Sequence, residues 1–287
     1  MADFASRVTF PSGSCREKSI VMAVAQHGDD FILMTEATPF HPRDFQWPDQ
    51  PEDKGCVENE DGRRYTLSDT VFVGISPEGI FSVGDEIPVK KSSPDWYFCV
   101  GHVVRGERPL FSRGAAIVLQ VDEERRTALS RAHSATHVMS LALNRTLAPL
   151  WRKEAPWIDA LGNPNFDQIA MEQSEIGLLS CTDRYRLGKS LRKRGFTTDG
   201  LRESLPRCVE EVNAAIAAWL AEGSDIRVRT EGDSLTSYRY WCATVDGIDV
   251  EVPCGGTHVR CFREIGTARI DAEMPNDETL VIKTTVR

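Results

Sequence analysis

The strongest constraint on the fold comes from two short motifs far apart in the chain, HSATH at residues 133–137 and CGGTH at residues 254–258. Each motif places two side chains of metal-binding type four residues apart. Together His133, His137, Cys254 and His258 offer three imidazoles and one thiolate, a set that suits a four-coordinate zinc ion. A fold that uses this set has to bring the two motifs together.

The sequence around the first motif predicts a strand followed by a long helix. Ala116–Val121 is a short apolar run, and Asp122 then supplies an N-cap with acidic residues directly after it. The helix is expected to continue to about Leu147, with a break near Arg131 left open. His133 and His137 then share one helical face, because side chains at i and i+4 lie one above the other.

The second motif is expected on a turn that follows a sheet strand. Apolar residues from Leu205 to Leu220 recur with helical spacing, and Gly223 is a C-terminal stop signal. Asp246-Gly247 is a two-residue hairpin signal, and its return strand delivers Cys254 after Pro253. Because Gly255 and Gly256 lack side chains, the backbone there could approach a ligand closely. The two ligand pairs should therefore face each other from a helix and a turn.

The rest of the pattern predicts two domains, residues 1–114 and 115–287. Residues 1 to about 112 are β-rich and irregular, whereas helical composition begins near Ala115. The stretch from Thr38 to Gly55 is dense in proline and polar residues and is expected to form a long ordered loop. Residues 151–200 have weak periodicity, and no element is predicted there.

Charge argues against a general nucleic-acid-binding protein, because the formal net charge is −9 and such binding depends on neutralising phosphates. A basic stretch at residues 184–194 is the exception. It could contact phosphates, or it could be an ordinary solvated surface. No secretory signal or membrane-spanning run is evident, so a cytoplasmic protein whose eight cysteines are mostly free thiols is expected.

The four-ligand set allows two interpretations. A structural zinc ion is typically held by four protein ligands with no open position. A domain of this size with a clear apolar helix stripe should not need a metal to fold, which favours a catalytic or substrate-positioning ion. The count of four ligands favours the structural interpretation, and the sequence does not choose between the two.

Several stretches resemble the editing domain of alanyl-tRNA synthetases and its free-standing relatives, the AlaX trans-editing proteins. Residues 121–126, continuing to 131–137, are similar to the family segment that leads into its first ligand motif. Residues 254–259 are similar to the second motif, and 264–266 follow it as in the family, with 211–213 a softer match. Residues 50–55 (QPEDKG) resemble the end of the family's glycine-rich loop, and Phe40 and Pro42 its beginning. Here the usual consecutive glycines are absent, and residues 43–49 are longer and bulkier.

The resemblance implies an α+β fold with a β-barrel-like N-terminal domain, followed by an α+β editing domain of the type common to threonyl- and alanyl-tRNA synthetases. It implies a zinc-dependent hydrolase that cleaves the ester joining serine or glycine to alanine tRNA. No aminoacylation domain precedes this part of the sequence, so action in trans is expected. The predicted partner is tRNA with an alanine-type acceptor stem. The oligomeric state and the amino acid removed are left open.

Rejecting alanine while accepting serine requires a site that hydrogen-bonds a hydroxyl group. Gln50, Ser134 and Thr136 are the candidates for that catalytic role, although Thr136 could instead bond within its own helix. The predicted substrate and tRNA contacts are Gly255, Gly256, Lys189, Arg192, Lys193 and Arg194. Two other functions are kept: a related hydrolase of another aminoacyl-tRNA or amino-acid ester, and a non-catalytic binding module stabilised by zinc.

Overall fold

The computed structural model describes residues 5–106 and 111–287, so residues 1–4 and 107–110 of the predicted β-rich region lie outside the described residues. The described chain is mixed α+β, with strands outnumbering helices, as predicted at the level of fold class. Its strands before the long helix are β1 (Arg7–Val8), β2 (Arg16–His27), β3 (Asp30–Thr35), β4 (Ala37–Thr38), β5 (Gly55–Asn59), β6 (Arg64–Leu67), β7 (Asp69–Ile75), β8 (Phe81–Val83), β9 (Tyr97–Arg105) and β10 (Ala116–Val121). The later elements are α1 (Glu123–Leu147), α2 (Phe166–Ala170), β11 (Met171–Gly177), β12 (Ser180–Arg186), α3 (Lys189–Lys193), α4 (Leu201–Glu222), β13 (Ile226–Thr230), β14 (Arg239–Val245), β15 (Ile248–Pro253), α5 (Phe262–Ile265), β16 (Ala268–Asn276) and β17 (Thr279–Val286).

The chain divides into two compact units. The first unit comprises the described part of Met1–Thr127 together with Thr230–Arg239 and Gly255–Thr257. The second unit comprises Ala128–Arg229, Tyr240–Cys254 and His258–Arg287. The division of the sequence into domains 1–114 and 115–287 stays a prediction.

The first unit is built on one antiparallel sheet of eight strands, in the order β6-β5-β10-β2-β3-β9-β7-β8. Strand residues alternate between the two faces, and each face carries its own apolar cluster. Leu33, Val57 and Leu119 belong to one cluster, whereas Ile32 and Val73 belong to the other. The hydrogen-bonded ladder ends at β6 and β8, and closure into a barrel stays a prediction.

A buried ion pair holds the two ends of the long loop between β4 and β5. Asp53 accepts a hydrogen bond from the backbone N–H of His41 at 2.6 Å and forms a two-pronged pair with the Arg126 guanidinium. Arg126 also donates to the carbonyl oxygen of Pro39 at 2.7 Å, and both charged side chains are almost completely buried. The predicted ordered loop is therefore held by its own aspartate, together with a single parallel bridge between Arg43 and Val71 of β7.

The second unit has one apolar core shared by its long helices and two sheets. The sheets run in the orders β11-β12-β17-β16 and β13-β14-β15. Val138 of α1 and Ile216 of α4 join Trp241, Ile270 and Ile282 of the strands in this core. Burial of such side chains is the main favourable contribution to folding, about 25 cal/mol per Å² of apolar surface.

Local signals place the elements that carry the ligand motifs. β10 and the end of α1 match the predicted bounds, and the Asp122 carboxylate accepts from the Arg125 N–H at 3.0 Å, as an N-cap should. α1 runs without a break at Arg131. The Asp246-Gly247 hairpin is confirmed, since both residues have positive φ and the flanking Val245 pairs with Ile248.

Asn213, in the softer match at residues 211–213, has a structural role. It lies on α4 beside β16, which is an edge strand of its sheet. The Asn213 amide donates to the carbonyl oxygen of Ile270 at 3.0 Å and accepts from the Ile270 N–H at 2.7 Å. One side chain thus satisfies both outward backbone groups of a strand residue.

The stability of the fold should depend on pH through His102. Burial lowers the pKa of His102, like that of His41, from 6.5 to about 4. Between pH 6.5 and pH 4 the imidazole is therefore protonated in the unfolded chain but neutral in the folded chain, which favours unfolding. The stability that the neutral, buried imidazole contributes is fully present above pH 6.5 and is lost as the pH falls towards 4. Asp49 and Asp167 act in the opposite direction, because burial raises the pKa of each carboxyl to about 6.

We therefore expect His102→Gln to reduce the loss of stability between pH 6.5 and 4 relative to the unmodified protein. Urea unfolding at several pH values would measure it, with the exposed His27→Gln as a control for the change of residue type. Parallel pH dependences in the variant and the unmodified protein would contradict this assignment.

The described residues contain no helix long and apolar enough to cross a membrane.

Candidate metal centre

The first half of the candidate site lies on one face of α1. The rings of His133 and His137 are stacked with centroids 5.1 Å apart, as expected for residues one turn apart. Arg131, one helical turn before Ala135, donates two hydrogen bonds to the carbonyl oxygen of Ile265, at 3.1 and 2.9 Å. The α1 segment that carries the histidines is thus fixed from a neighbouring element of the second unit.

The second half follows the edge strand β15. Val252 and Pro253 pair with Trp241 and Tyr240 of β14, and Cys254 is the first residue after the strand. The ring of His258 lies 4.6 Å from that of His133 and 5.1 Å from that of His137, measured between centroids. The predicted convergence of the helix pair and the turn pair is confirmed within the second unit.

The four side chains could hold a metal ion. Their ligand atoms all lie within 4.8 Å of one another. The Cys254 Sγ is 3.3 Å from Nε2 of His133 and 3.2 Å from Nε2 of His258. Ligand atoms around a tetrahedral zinc ion lie roughly 3.5 Å apart, given bonds of about 2.0–2.3 Å. The spacing and the donor set therefore fit such an ion.

His137 supplies a further test of fit. Its Nε2 is buried and has no hydrogen-bond partner among the described residues. Burial lowers the pKa of His137 to about 4, so its imidazole is neutral near pH 7, as a metal ligand must be. The indole of Trp241 stacks on the ring at 5.0 Å and keeps one face dry. A buried, neutral nitrogen without a partner is costly unless an ion or another group binds it.

Ser134 contacts the candidate ligand His258 directly. Its Oγ lies 3.3 Å from Nδ1 of His258 and accepts from the Val259 N–H at 3.2 Å. A hydrogen bond at Nδ1 leaves Nε2, the nitrogen that faces Cys254, as the metal-binding atom of His258. Ser134 thus orients a candidate ligand, and its role toward a substrate stays a prediction.

Thr136 bonds within its own helix, and Gly255 and Gly256 differ in their exposure. The Thr136 Oγ1 donates to the carbonyl oxygen of Ala132 at 3.1 Å, which is the within-helix bond that the sequence left open. Gly255 is exposed, and a Cβ at that position would meet nothing within 4 Å. Gly256 is buried, and neither glycine has a positive φ. Their predicted contact with a substrate stays a prediction.

Gln50 lies in the first unit, where its amide holds Thr257. The Gln50 Nε2 donates to the Thr257 Oγ1 at 2.9 Å, and its Oε1 accepts from the Thr257 N–H, also at 2.9 Å. Both residues are buried. Thr257 directly precedes the candidate ligand His258 in the chain. The predicted catalytic role of Gln50 stays a prediction.

The predicted phosphate-contacting residues lie together and are exposed. Lys189, Arg192 and Lys193 belong to α3, and Arg194 follows it. The ligand cluster lies on α1 and after β15, so the two groups belong to different elements of the second unit. Arg192 is partly engaged, since it donates to the carbonyl oxygen of Leu187 at 3.1 Å.

Sequence reasoning missed two side-chain contacts, one made by Trp241 and one by Thr257. Trp241, which covers His137, had no signal beyond lying on a strand face opposite to that of Tyr240. Thr257, which Gln50 holds, lies inside the second motif, but its spacing matches no metal-binding pattern. Both contacts arise between segments far apart in the chain.

Comparison with known proteins relates the chain to alanine–tRNA ligases. It is 24% identical to the alanine–tRNA ligase of Akkermansia muciniphila over 262 residues, which cover 88% of this chain and 23% of that protein. It is 29% identical to the enzyme of Caulobacter sp. strain K31 over 164 residues, covering 56% of the chain and 17% of the relative. The enzyme of Rhodopseudomonas palustris is 26% identical over 252 residues, which cover 86% of this chain and 24% of that enzyme.

The chain thus spans no more than about a quarter of the length of these relatives. No family model matches the sequence. The similarity to alanyl-tRNA synthetases that the motifs indicated is confirmed at this level.

Proposed function

We propose that this chain is a zinc-dependent hydrolase that removes serine or glycine from mischarged alanine tRNA. The observation that carries the proposal is the convergence of His133, His137, Cys254 and His258 in a chain similar to alanine–tRNA ligases. The proposal includes action in trans, on tRNA charged by another enzyme. It also includes the barrel-like N-terminal domain and the synthetase-type editing domain, divided near residue 114.

Zinc is proposed as the ion because two imidazole nitrogens and a thiolate meet at tetrahedral spacing, with a third imidazole beside them. When bound, it would supply a Lewis acid that polarises and positions the ester carbonyl. Trp241 limits water at His137, and Ser134 sets the orientation of His258. The chain itself thereby fixes the geometry of the ligands before any substrate arrives.

The polar residues of the proposal are Gln50, Ser134 and Thr136, with Gly255 and Gly256 beside the ligands in sequence. An aminoacyl ester is already activated, so positioning and a few hydrogen-bond donors could suffice for hydrolysis. Accepting serine but not alanine requires a donor or acceptor for the serine hydroxyl. The basic residues of α3 are proposed to contact tRNA phosphates.

Deacylation of purified charged tRNAs tests the proposal. We expect the isolated chain to hydrolyse seryl- or glycyl-tRNA(Ala) faster than alanyl-tRNA(Ala) and to lose this activity after zinc is removed by a chelator. Activity that returns on adding zinc would support a reversible metal requirement. Absence of hydrolysis with all three substrates would refute the proposal, and hydrolysis of a different charged tRNA alone would favour the related-hydrolase function.

A second candidate function is a non-catalytic module stabilised by zinc. The observation that favours it is the count of four protein ligands, which fills a tetrahedral ion. In that case chelation should unfold the second unit cooperatively, since metal binding would be part of folding. Loss of hydrolysis with an unchanged circular dichroism spectrum would exclude it.

A further inference from the structure

Two segments of the second unit, which the sequence left without predicted elements, are joined by backbone hydrogen bonds. The Arg152 N–H donates to the carbonyl oxygen of Gly195 at 2.8 Å, and the Thr197 N–H donates to that of Leu150 at 2.9 Å. Between these bonds the ring of Trp151 meets that of Phe196 edge-on at 5.5 Å. The loop after α1 and the segment that follows α3 therefore lie side by side at this surface.

An exposed tryptophan projects from this surface. Trp157 is 49% exposed and the neighbouring Ile158 is 66% exposed. The Trp157 carbonyl oxygen accepts from the Asn165 N–H at 3.0 Å, and the buried Asp159 accepts from the N–H groups of Leu161 and Asn163. The indole is thus carried by a loop fixed by hydrogen bonds, and half of a large apolar ring is left in water.

The charge around the ring is positive in a chain of net charge −9. The guanidinium of Arg194 lies over the Trp157 ring at 5.5 Å, and Lys153 donates from Nζ to the carbonyl oxygen of Lys193 at 2.6 Å. Acidic groups are also present, since Glu154 precedes Trp157 by three residues, the buried Asp159 follows it by two, and Glu278 lies 3.7 Å from Arg192. We name as the Trp157 surface the residues Lys153, Trp157, Lys189, Arg192, Lys193 and Arg194.

We propose that the Trp157 surface binds single-stranded RNA, with an unpaired base stacked on the Trp157 ring and the flanking phosphates on its lysines and arginines. Aromatic rings in a basic groove bind unpaired nucleotides because every base offers a π-face and every phosphate a charge. A cation over the ring adds to such stacking. The inference rests on the proposed function only in taking tRNA as the natural source of the unpaired nucleotides.

Fluorescence anisotropy with a labelled, unstructured 12-nucleotide RNA tests the stacking. We expect Trp157→Ala to weaken binding about tenfold or more, within the range typical of one stacked base, and Trp157→Phe to retain most of the affinity. Trp47→Ala is the matched control, because Trp47 is 47% exposed and lies in the other unit. When the same strand is paired into a 12-base-pair duplex, its binding affinity should change little with Trp157→Ala.

The phosphate contacts are tested by the salt dependence of the same binding. Each neutralised phosphate contributes a slope of about −0.7 in log affinity against log salt for single strands. We expect the double variant Lys189→Gln, Lys193→Gln to flatten the slope by about 1.4 at two lost contacts, while circular dichroism stays unchanged.

Equal effects of Trp157→Ala and Trp47→Ala, or an unchanged salt slope, would overturn the proposal. So would binding to phosphatidylserine vesicles without affinity for the RNA. Because the RNA carries no amino acid, a chain that binds it but deacylates nothing would refute the proposed hydrolase alone. A chain that deacylates but binds the RNA independently of Trp157 would refute only the present inference.

Discussion

Replacing Cys254 by serine is expected to abolish stoichiometric zinc binding and to lower deacylation of seryl-tRNA(Ala) by at least about 100-fold, more than residues that merely orient a ligand typically contribute. The thiolate is the one soft ligand of the set, and its Sγ lies within 3.3 Å of two imidazole nitrogens. A serine hydroxyl is a poor zinc ligand near pH 7, so the ion would keep only three donors. Zinc content and single-turnover deacylation would be measured on the same preparation.

Cys242→Ser is the matched control for this variant. Cys242 is a half-buried free thiol on β14, outside the ligand cluster. We expect the Cys242→Ser variant to keep both its zinc and its activity. The comparison then separates the effect of losing any thiol from the effect of losing Cys254. Full activity of Cys254→Ser with no bound zinc would refute the metal-dependent mechanism, whereas bound zinc with unchanged activity would remove Cys254 from the ligand set.

Replacing Asp53 by asparagine is expected to lower the free energy of unfolding by about 3–5 kcal/mol, the range found when one partner of a buried ion pair is removed. The variant keeps the size of the side chain but leaves the buried Arg126 guanidinium without its counter-charge. It also weakens the bond to the His41 N–H that anchors the loop after β4. Urea unfolding followed by circular dichroism would measure the change.

Two further variants make this expectation specific to the buried pair. Glu58→Gln breaks the exposed pair between Glu58 and Arg64 and should cause no comparable loss, because exposed pairs contribute little. Adding Arg126→Met to Asp53→Asn should restore much of the stability, since no buried charge is then left alone. A loss for Asp53→Asn no larger than for Glu58→Gln would show that the ion pair does not anchor the loop.

The sequence predicted the elements whose signals are local. The Asp122 N-cap, the continuous apolar stripe of α4 and the Asp246-Gly247 hairpin each depend on a few neighbouring residues, and each is observed. The four candidate ligands could be singled out for the same reason, because an i, i+4 spacing is a property of a short segment. Their convergence followed once both segments were placed on their elements.

The helices and strands of residues 151–200 could not be predicted, for physical reasons. α2 and α3 have five residues each, too few to establish a helical period. β11 is largely exposed and lacks the alternation that identifies a strand with one buried face. The stacking of Trp241 on His137 and the Gln50–Thr257 bonds were equally out of reach, since they join segments whose proximity only the folded chain determines.

The amide of Asn213 has a consequence for how copies of this chain behave at high concentration. An edge strand with open N–H and C=O groups is a template on which another chain can add a strand and begin to aggregate. At Ile270 both outward groups of β16 are already bonded to Asn213. A helix side chain thus takes the place that a foreign strand would occupy, which protects the sheet from intermolecular growth at that point.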